Sequence, residues 1–199
     1  MSYEYYGIYR RVRNSAWHCL IDFKVNRLPI DVVGIARSAK IHVVKNSLVN
    51  DLEAGERAKT YNDAGRWTII YDDRLSTEQA RYILAHELGH IFLGHELQHA
   101  KYVGKQEVKQ TPAAEKHASA FAVRLLCPAC VLWRMNLHTA DEIARYCRIE
   151  PALAAARAKR MKELYERNKF LTDETEQDLD KQFQDYIQEN APVLTEAKN

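Results

Sequence analysis

Apolar residues recur at helical spacing in the first forty residues of the chain. Residues 8–24 predict an amphipathic first helix, with apolar side chains set among three arginines: Ile8, Val12, Trp17, Leu20, Ile21 and Phe23. Pro29 then stands where the first position of a second helix falls, ahead of Val32, Val33, Ile35 and Ala36. The pattern therefore predicts two helices before the first strand.

The next segment changes to the residue types of strands and loops. Ile41–Val44 predicts a short strand, and residues 45–65, rich in Asn, Ser and Gly, predict mostly loop. The run Arg66–Asp72 is rich in β-branched and aromatic residues, which predicts a strand. Trp67, Ile69 and Tyr71 should share one face of it because side chains alternate along a strand.

Helix-start signals dominate the rest of the chain. Ser76 with Gln79 forms a capping-box pattern that predicts a helix from about Thr77 to Leu97. Thr111 and Pro112 open another helix that runs to Pro128. Thr139 with Glu142 forms a second capping-box pattern, and Pro151 begins a predicted long helix that ends near Phe170. The tail is predicted to form one more helix before Pro192, with apolar residues at helical spacing: Leu179, Phe183, Tyr186 and Ile187.

These elements predict an α+β fold that is predominantly helical, with a small β-sheet and extra C-terminal helices. They also suggest three segments: a first domain over residues 1–135, a C-terminal helical hairpin over residues 136–170, and an acidic tail with a helix over residues 171–199. The tail contains eight acids and two bases, hence −6, which leaves +8 on residues 1–170 given the net charge of +2.

Composition limits the class of protein. The 199 residues are 46% hydrophobic and 28% charged, as expected of a folded globular chain. The longest uncharged stretch near the middle, Leu125–Trp133, is too short for a bilayer span of about 20 residues, and nothing at the start reads as a secretory signal. We therefore expect a cytoplasmic protein without a membrane partner, whose four cysteines are reduced.

The central chemical signal is His86-Glu87-Leu88-Gly89-His90, an HExxH sequence within the predicted helix. Histidines four residues apart lie on one helix face and can bind one zinc ion. Glu87 lies about 100° round the helix from His86, which is too far for a metal ligand but near enough to hold a metal-bound water as general base. Gly89 has no side chain, which leaves space for close packing or for an approaching substrate.

A catalytic zinc ion needs a third protein ligand and an open position. A third ligand in a Gly-x-x-His pattern would need Gly at position 93 and His at position 96, where this chain has Leu93 and Glu96. His95 is therefore out of register for that role. Glu115, in the first turn of the next predicted helix, is the better candidate. His117 competes with it, although a regular helix points its side chain away from that of Glu115.

Two segments together resemble a known family. His86–His95 reads HELGHIFLGH and Glu115–Pro128 reads EKHASAFAVRLLCP. Both resemble the ImmA/IrrE zinc metallopeptidases, and the resemblance covers roughly residues 20–135. It implies a minimal zincin-like metallopeptidase core, one Zn²⁺ per chain on His86, His90 and Glu115, and Glu87 as catalytic base. Ser119 departs from the family's Asn or Asp, a position from which a side chain supports a ligand histidine, and a serine reaches less far.

The resemblance also implies a use. Characterised members cleave a partner repressor with a helix-turn-helix, encoded on prophages, mobile elements or stress loci. The expected reaction is hydrolysis of a specific cytosolic protein, with Glu87 moving the proton of the attacking water. The strand at Trp67–Tyr71 is a candidate for binding substrate by β-augmentation. The oxyanion donor stays open among four side chains: His95, His99, Tyr71 and Tyr102.

Other patterns have simpler interpretations beside the chemical ones. Cys127-Pro128-Ala129-Cys130 has CxxC spacing, but no second CxxC accompanies it, so core packing is favoured over a metal or redox role. Residues 141–157 have helix-turn-helix spacing, but the turn lacks glycine, which favours a packed hairpin over direct nucleic-acid binding. The rival function is a zinc-containing regulatory or toxin-type module that binds a protein or DNA without proteolysis, and the intact Glu87 argues against it.

Overall fold

The computed structural model describes residues 3–95 and 111–191, which form helices around a small sheet. The helices are α1 (Tyr3–Asp22), α2 (Val32–Ser38), α3 (Asn46–Val49), α4 (Thr77–Phe92), α5 (Pro112–Leu126), α6 (Ala129–Arg134), α7 (Ala140–Cys147), α8 (Pro151–Arg167) and α9 (Glu174–Asn190). The strands are β1 (His42–Lys45), β2 (Ala58–Asp63) and β3 (Arg66–Tyr71). The predicted α+β, mainly helical fold with a small sheet is confirmed.

The sheet has the order β1-β3-β2. β1 runs parallel to β3 and β2 runs antiparallel to it, so both edges of β3 are paired. The prediction that Trp67–Tyr71 adds a substrate strand is therefore wrong, because β3 has no free backbone edge. The prediction that Trp67, Ile69 and Tyr71 share one face of β3 agrees with the structure, in which Ile69 lies in the core and Trp67 and Tyr71 pack against that core.

Residues 45–65 are more ordered than the predicted loop. They contain α3 and β2, and β2 joins β3 through a two-residue turn in which Ala64 and Gly65 have φ of 49° and 87°. Positive φ at both positions is the geometry of a tight hairpin turn between twisted strands. The segment looks polar because β2 is an edge strand whose side chains are mostly half-buried.

Two predicted helix ends also differ from the structure. α2 begins at Val32, because the Asp31 carboxylate accepts a hydrogen bond from the Gly34 N–H and caps the helix after Pro29. α4 ends at Phe92 rather than near Leu97, because Gly94 takes φ of 69° just beyond the C-cap residue Leu93. Both capping boxes, at Ser76 with Gln79 and at Thr139 with Glu142, are confirmed.

The C-terminal helices pack on the rest of the described chain. Gln79 in α4 donates a 2.9 Å hydrogen bond to Glu150, just before α8. Three apolar residues of α9 lie in the same core as Trp17 and Phe121: Leu179, Phe183 and Ile187. Two tail carboxylates form ion pairs with the body, Asp173 with Arg13 and Asp180 with Arg134. The division into three segments stays a prediction.

The four cysteines are all buried as free thiols. Burial raises the pKa of the Cys19 and Cys130 thiols, so they stay protonated at neutral pH. Among the described residues, no cysteine joins a group of potential metal ligands. Core packing therefore accounts for the CxxC sequence.

Candidate metal centre

Helix α4 presents the two motif histidines on one face. Its capping box holds the N-terminus, and the four-residue spacing brings His86 Nε2 to 3.0 Å from His90 Nε2. His90 is only 3% exposed, whereas His86 is half-buried. The two nitrogens therefore converge at the edge of the core, where one ion can reach both.

Helix α5 brings the third candidate ligand to this pair. Thr111 caps α5, and Glu115 lies in its first turn with 48% of its side chain exposed. Glu115 Oε2 lies 3.2 Å from His86 Nε2, and Glu115 Oε1 lies 3.5 Å from His90 Nε2. All three residues offer a ligand atom within 4.8 Å of the others.

Gly89 decides how closely α4 and α5 approach. A Cβ added at Gly89 would lie 3.1 Å from the Ala118 Cα and carbonyl oxygen and 3.1 Å from the Phe121 ring. These contacts are shorter than the ordinary 3.4–4 Å of van der Waals packing, so a side chain at this position requires α5 to move by a few tenths of an ångström. The expectation that Gly89 serves close packing is confirmed, and this packing holds Glu115 beside the histidines.

The three side chains fit a zinc ion. Ligands about 2.0–2.1 Å from a tetrahedral zinc ion stand about 3.3 Å apart, close to the donor separations here. Burial lowers the pKa of His86, although Glu115 opposes this. Burial, aided by repulsion from His86 and His95, lowers the pKa of His90 to about 3. Both imidazoles are therefore neutral near pH 7, as metal ligation requires.

The second nitrogen of each histidine also has a partner. Ser119 Oγ lies 3.3 Å from His86 Nδ1, and His95 Nδ1 lies 3.0 Å from His90 Nδ1. Partners at Nδ1 hold an imidazole in one orientation and tautomer, leaving Nε2 for the metal. Ser119 therefore reaches His86 despite being shorter than the family's Asn or Asp.

Glu87 points to the sheet rather than to the three ligand atoms. Its Oε2 accepts a 2.6 Å hydrogen bond from the Thr60 hydroxyl of β2. Burial raises the pKa of Glu87 to about 7, against the lowering effect of the Thr60 hydrogen bond and with a contribution from Glu115. A carboxylate with this pKa can take and return a proton near neutral pH.

The remaining sequence candidates divide by location. Tyr71 is half-buried at the end of β3, two residues from Ile69, the Cα partner of Thr60. The His117 ring centroid lies 6.2 Å from that of His95, and His117 is not in the ligand cluster. His99 and Tyr102 lie outside the described residues, so the oxyanion donor stays open.

Two residues of the site region were missed by the sequence analysis. Thr60 fell in the predicted loop, although the turn signal at residues 62–65 next to a clear strand indicates a hairpin. Arg81 in α4 donates hydrogen bonds to three carbonyl oxygens, those of Ile30, Cys147 and Arg148, at 2.7, 3.1 and 3.2 Å. It joins α4 to the end of α7 and to the segment before α2. No sequence motif marks such a residue.

Comparison with protein families agrees with this geometry. Residues 36–159 match the family model of the IrrE N-terminal-like domain, peptidase family M78. The chain belongs to this family. The match spans more than half of the chain, from before β1 into α8, and includes His86, His90 and Glu115. Among curated proteins, none matches the chain.

Family membership makes the chain a metallopeptidase of a zinc-dependent family, and the resemblance seen in the sequence is confirmed. The His-His-Glu cluster is the group of described residues that can hold the ion. Within residues 3–95 and 111–191, none of the helices combines the length and apolar character that crossing a bilayer requires.

Proposed function

We propose that the chain is an endopeptidase that holds one Zn²⁺ through His86, His90 and Glu115 and hydrolyses a specific protein, a helix-turn-helix transcriptional repressor. The observation that carries the peptidase assignment is the convergence of one ligand atom from each of His86, His90 and Glu115 within 4.8 Å of one another, next in sequence to Glu87 on α4. The repressor as substrate rests on the family resemblance alone.

When bound, zinc supplies a Lewis acid that polarises the scissile carbonyl and makes water acidic. Glu87 acts as the general base: it takes a proton from the attacking water and returns it to the leaving amine. Thr60 occupies Oε2, which leaves Oε1 for the proton. Ser119 and His95 are positioning residues that orient His86 and His90.

The free edge of β2 is the proposed site for substrate backbone. β2 pairs with β3 on one side, and the described residues place no strand on its other side. Thr60 lies in β2, so a peptide added to that edge runs past the Glu87 carboxylate. This position replaces the earlier assignment of Trp67–Tyr71.

The test is to incubate the zinc-loaded protein with helix-turn-helix repressors encoded near its own gene and to map fragments by mass spectrometry. The control is Glu87→Gln, which should keep the zinc and the fold but lose hydrolysis, because an amide does not accept the proton. Cleavage at a defined bond that disappears with Glu87→Gln or a chelator supports the proposal.

Two other results have different meanings. Tight binding of a repressor without cleavage, by protein shown to carry zinc, would favour the non-proteolytic regulatory module. Cleavage of unrelated proteins but not of repressors would keep the peptidase and exclude the substrate. The chelator arm should use metal-depleted protein restored with zinc, so that loss of fold is separated from loss of activity.

A further inference from the structure

A cavity of about 350 Å³ lies away from the metal cluster, between α1, α5, α8 and the segment joining α8 to α9. None of His86, His90 and Glu115 is among its described lining residues. Its volume is in the range of small-molecule sites, about 300–1,000 Å³. The peptidase chemistry proposed above makes no use of it.

The lining of this cavity is strongly basic. Among the described residues, six arginines and one lysine line it, against the carboxylates of Asp173 and Glu176. Asp173 forms an ion pair with Arg13, and Glu176 accepts a 3.3 Å hydrogen bond from the Thr172 N–H. The described lining therefore has an excess of five positive charges, one of which, on Arg160, also pairs with Glu163 outside the lining.

Arg157 is the most unusual of these cations because it is only 5% exposed. One guanidinium nitrogen donates a 2.5 Å hydrogen bond to the Cys127 carbonyl oxygen, whereas its Nε has no partner. Trp17, 2% exposed, also lines the cavity with an unpartnered Nε1. No carboxylate among the described residues forms an ion pair with Arg157. A buried guanidinium without a carboxylate partner is costly, and an anion in the cavity that Arg157 lines would offset part of that cost.

The tyrosine at the centre of the arginines indicates a positive potential. The guanidinium carbons of Arg124 and Arg160 lie 4.1 and 5.7 Å from the Tyr9 ring centroid. Burial alone would raise the pKa of Tyr9, but attraction to Arg124 and Arg160 outweighs it and lowers the pKa. Cation–π contacts explain why these two arginines lie here. They do not explain Arg157.

We propose that this cavity binds the phosphate group of a small organic phosphate, with Arg157 as the buried contact. Several guanidinium groups around one space match the charge of a phosphate dianion and its three acceptor oxygens better than they match a single carboxylate. The apolar walls formed by Trp17, Leu164 and Phe170 favour an ester over the free ion.

Isothermal titration calorimetry on the zinc-loaded full chain tests this proposal, with AMP, inorganic phosphate and adenosine as probes at constant ionic strength. We expect AMP to bind, adenosine not to bind, and inorganic phosphate to bind more weakly than AMP. Equal binding of phosphate and AMP would still support phosphate recognition and would assign the free ion as ligand. Equal binding of AMP and adenosine, or binding of neither anion, would overturn the proposal.

Variants locate the site. Arg157→Met should weaken AMP binding about tenfold or more, since a hydrogen bond to a charged group is worth at least a tenfold change in affinity. Arg160→Gln, at a half-buried position, should weaken it less, and the exposed Arg66→Gln should not weaken it although the same charge is removed. Circular dichroism checks the fold of each variant. AMP affinity unchanged in both cavity variants would overturn the assignment, because phosphate bound at the zinc ion would give that result.

Discussion

Thr60 donates a 2.6 Å hydrogen bond to Glu87, joining the edge strand β2 to helix α4. The two residues are 27 positions apart in the sequence, and the bond gives the half-buried carboxylate a partner inside the protein. It also opposes the rise in the Glu87 pKa that burial causes. The strand that we propose to hold substrate thus also orients the proposed base.

Breaking this bond should show coupling between the two side chains. In a double-mutant cycle of Thr60→Val and Glu87→Ala, we expect a coupling free energy of about 1.5–3 kcal/mol, the range of hydrogen bonds to charged groups. Urea unfolding of the four proteins measures it. Thr60→Ser keeps the hydroxyl and should restore most of the stability. A coupling near zero would show that the bond contributes nothing in solution.

The third metal ligand can be identified by zinc affinity. Glu115→Gln should weaken zinc binding by more than about 100-fold, because removing a residue that merely supports a ligand already costs about 10–100-fold. His117→Gln should change it little, since His117 lies outside the cluster. Competition with a chromophoric chelator gives both values. The opposite order would make His117 the ligand.

Gly89→Ala should destabilise the protein by about 1–3 kcal/mol, because the added methyl group meets the Ala118 backbone and the Phe121 ring at 3.1 Å. Zinc affinity should fall with it, since α5 carries Glu115. The matched control is Gly7→Ala in α1, where an added Cβ meets nothing within 4 Å and alanine should stabilise the helix by about 0.5–1 kcal/mol. Thermal unfolding with and without zinc measures both effects. An unchanged zinc affinity in Gly89→Ala would show that the spacing of the helices does not govern the site.

Arg81→Met should lower the free energy of unfolding by about 2–4 kcal/mol. It removes three hydrogen bonds from a charged donor to carbonyl oxygens, of which that of Ile30 keeps its bond from the Val32 N–H while those of Cys147 and Arg148 lose the Arg81 partner. Arg74→Met is the control, because Arg74 is exposed and pairs with Asp72 at the surface, where ion pairs contribute little. Chemical denaturation gives the comparison. Similar losses in both variants would show that Arg81 does not hold α4 in place.

The four cysteine thiols should be unreactive in the folded protein. Ellman's reagent at pH 8 should modify none of the four thiols until denaturant is added, because all are buried and burial raises the pKa of Cys19 and Cys130. Elemental analysis should then give about one zinc ion per chain. Rapid reaction of Cys127 or Cys130, or a second zinc ion, would restore a chemical role for the CxxC sequence.

Features that depend on neighbours in the sequence were predictable. The capping box at Ser76 and Gln79 and the four-residue spacing of His86 and His90 act within a single helix, so residue order alone determines them. The same holds for the apolar face of α9. Patterning also placed Glu115 in the first turn of a separate helix, which made it a candidate ligand but did not bring it near the histidines.

Only the tertiary structure decided which distant groups meet. The close crossing of α4 and α5 at Gly89 and Ala118 places Glu115 beside His86 and His90, and it places Ser119 within reach of His86. Strand pairing made β2 an edge strand of the sheet and brought Thr60 to Glu87, which the polar composition of residues 45–65 concealed. The arginines of the basic cavity come from α1, α5 and α8, each unremarkable within its own helix. Capping and helical periodicity are local interactions that residue order encodes directly, whereas these contacts depend on how whole elements pack their faces together.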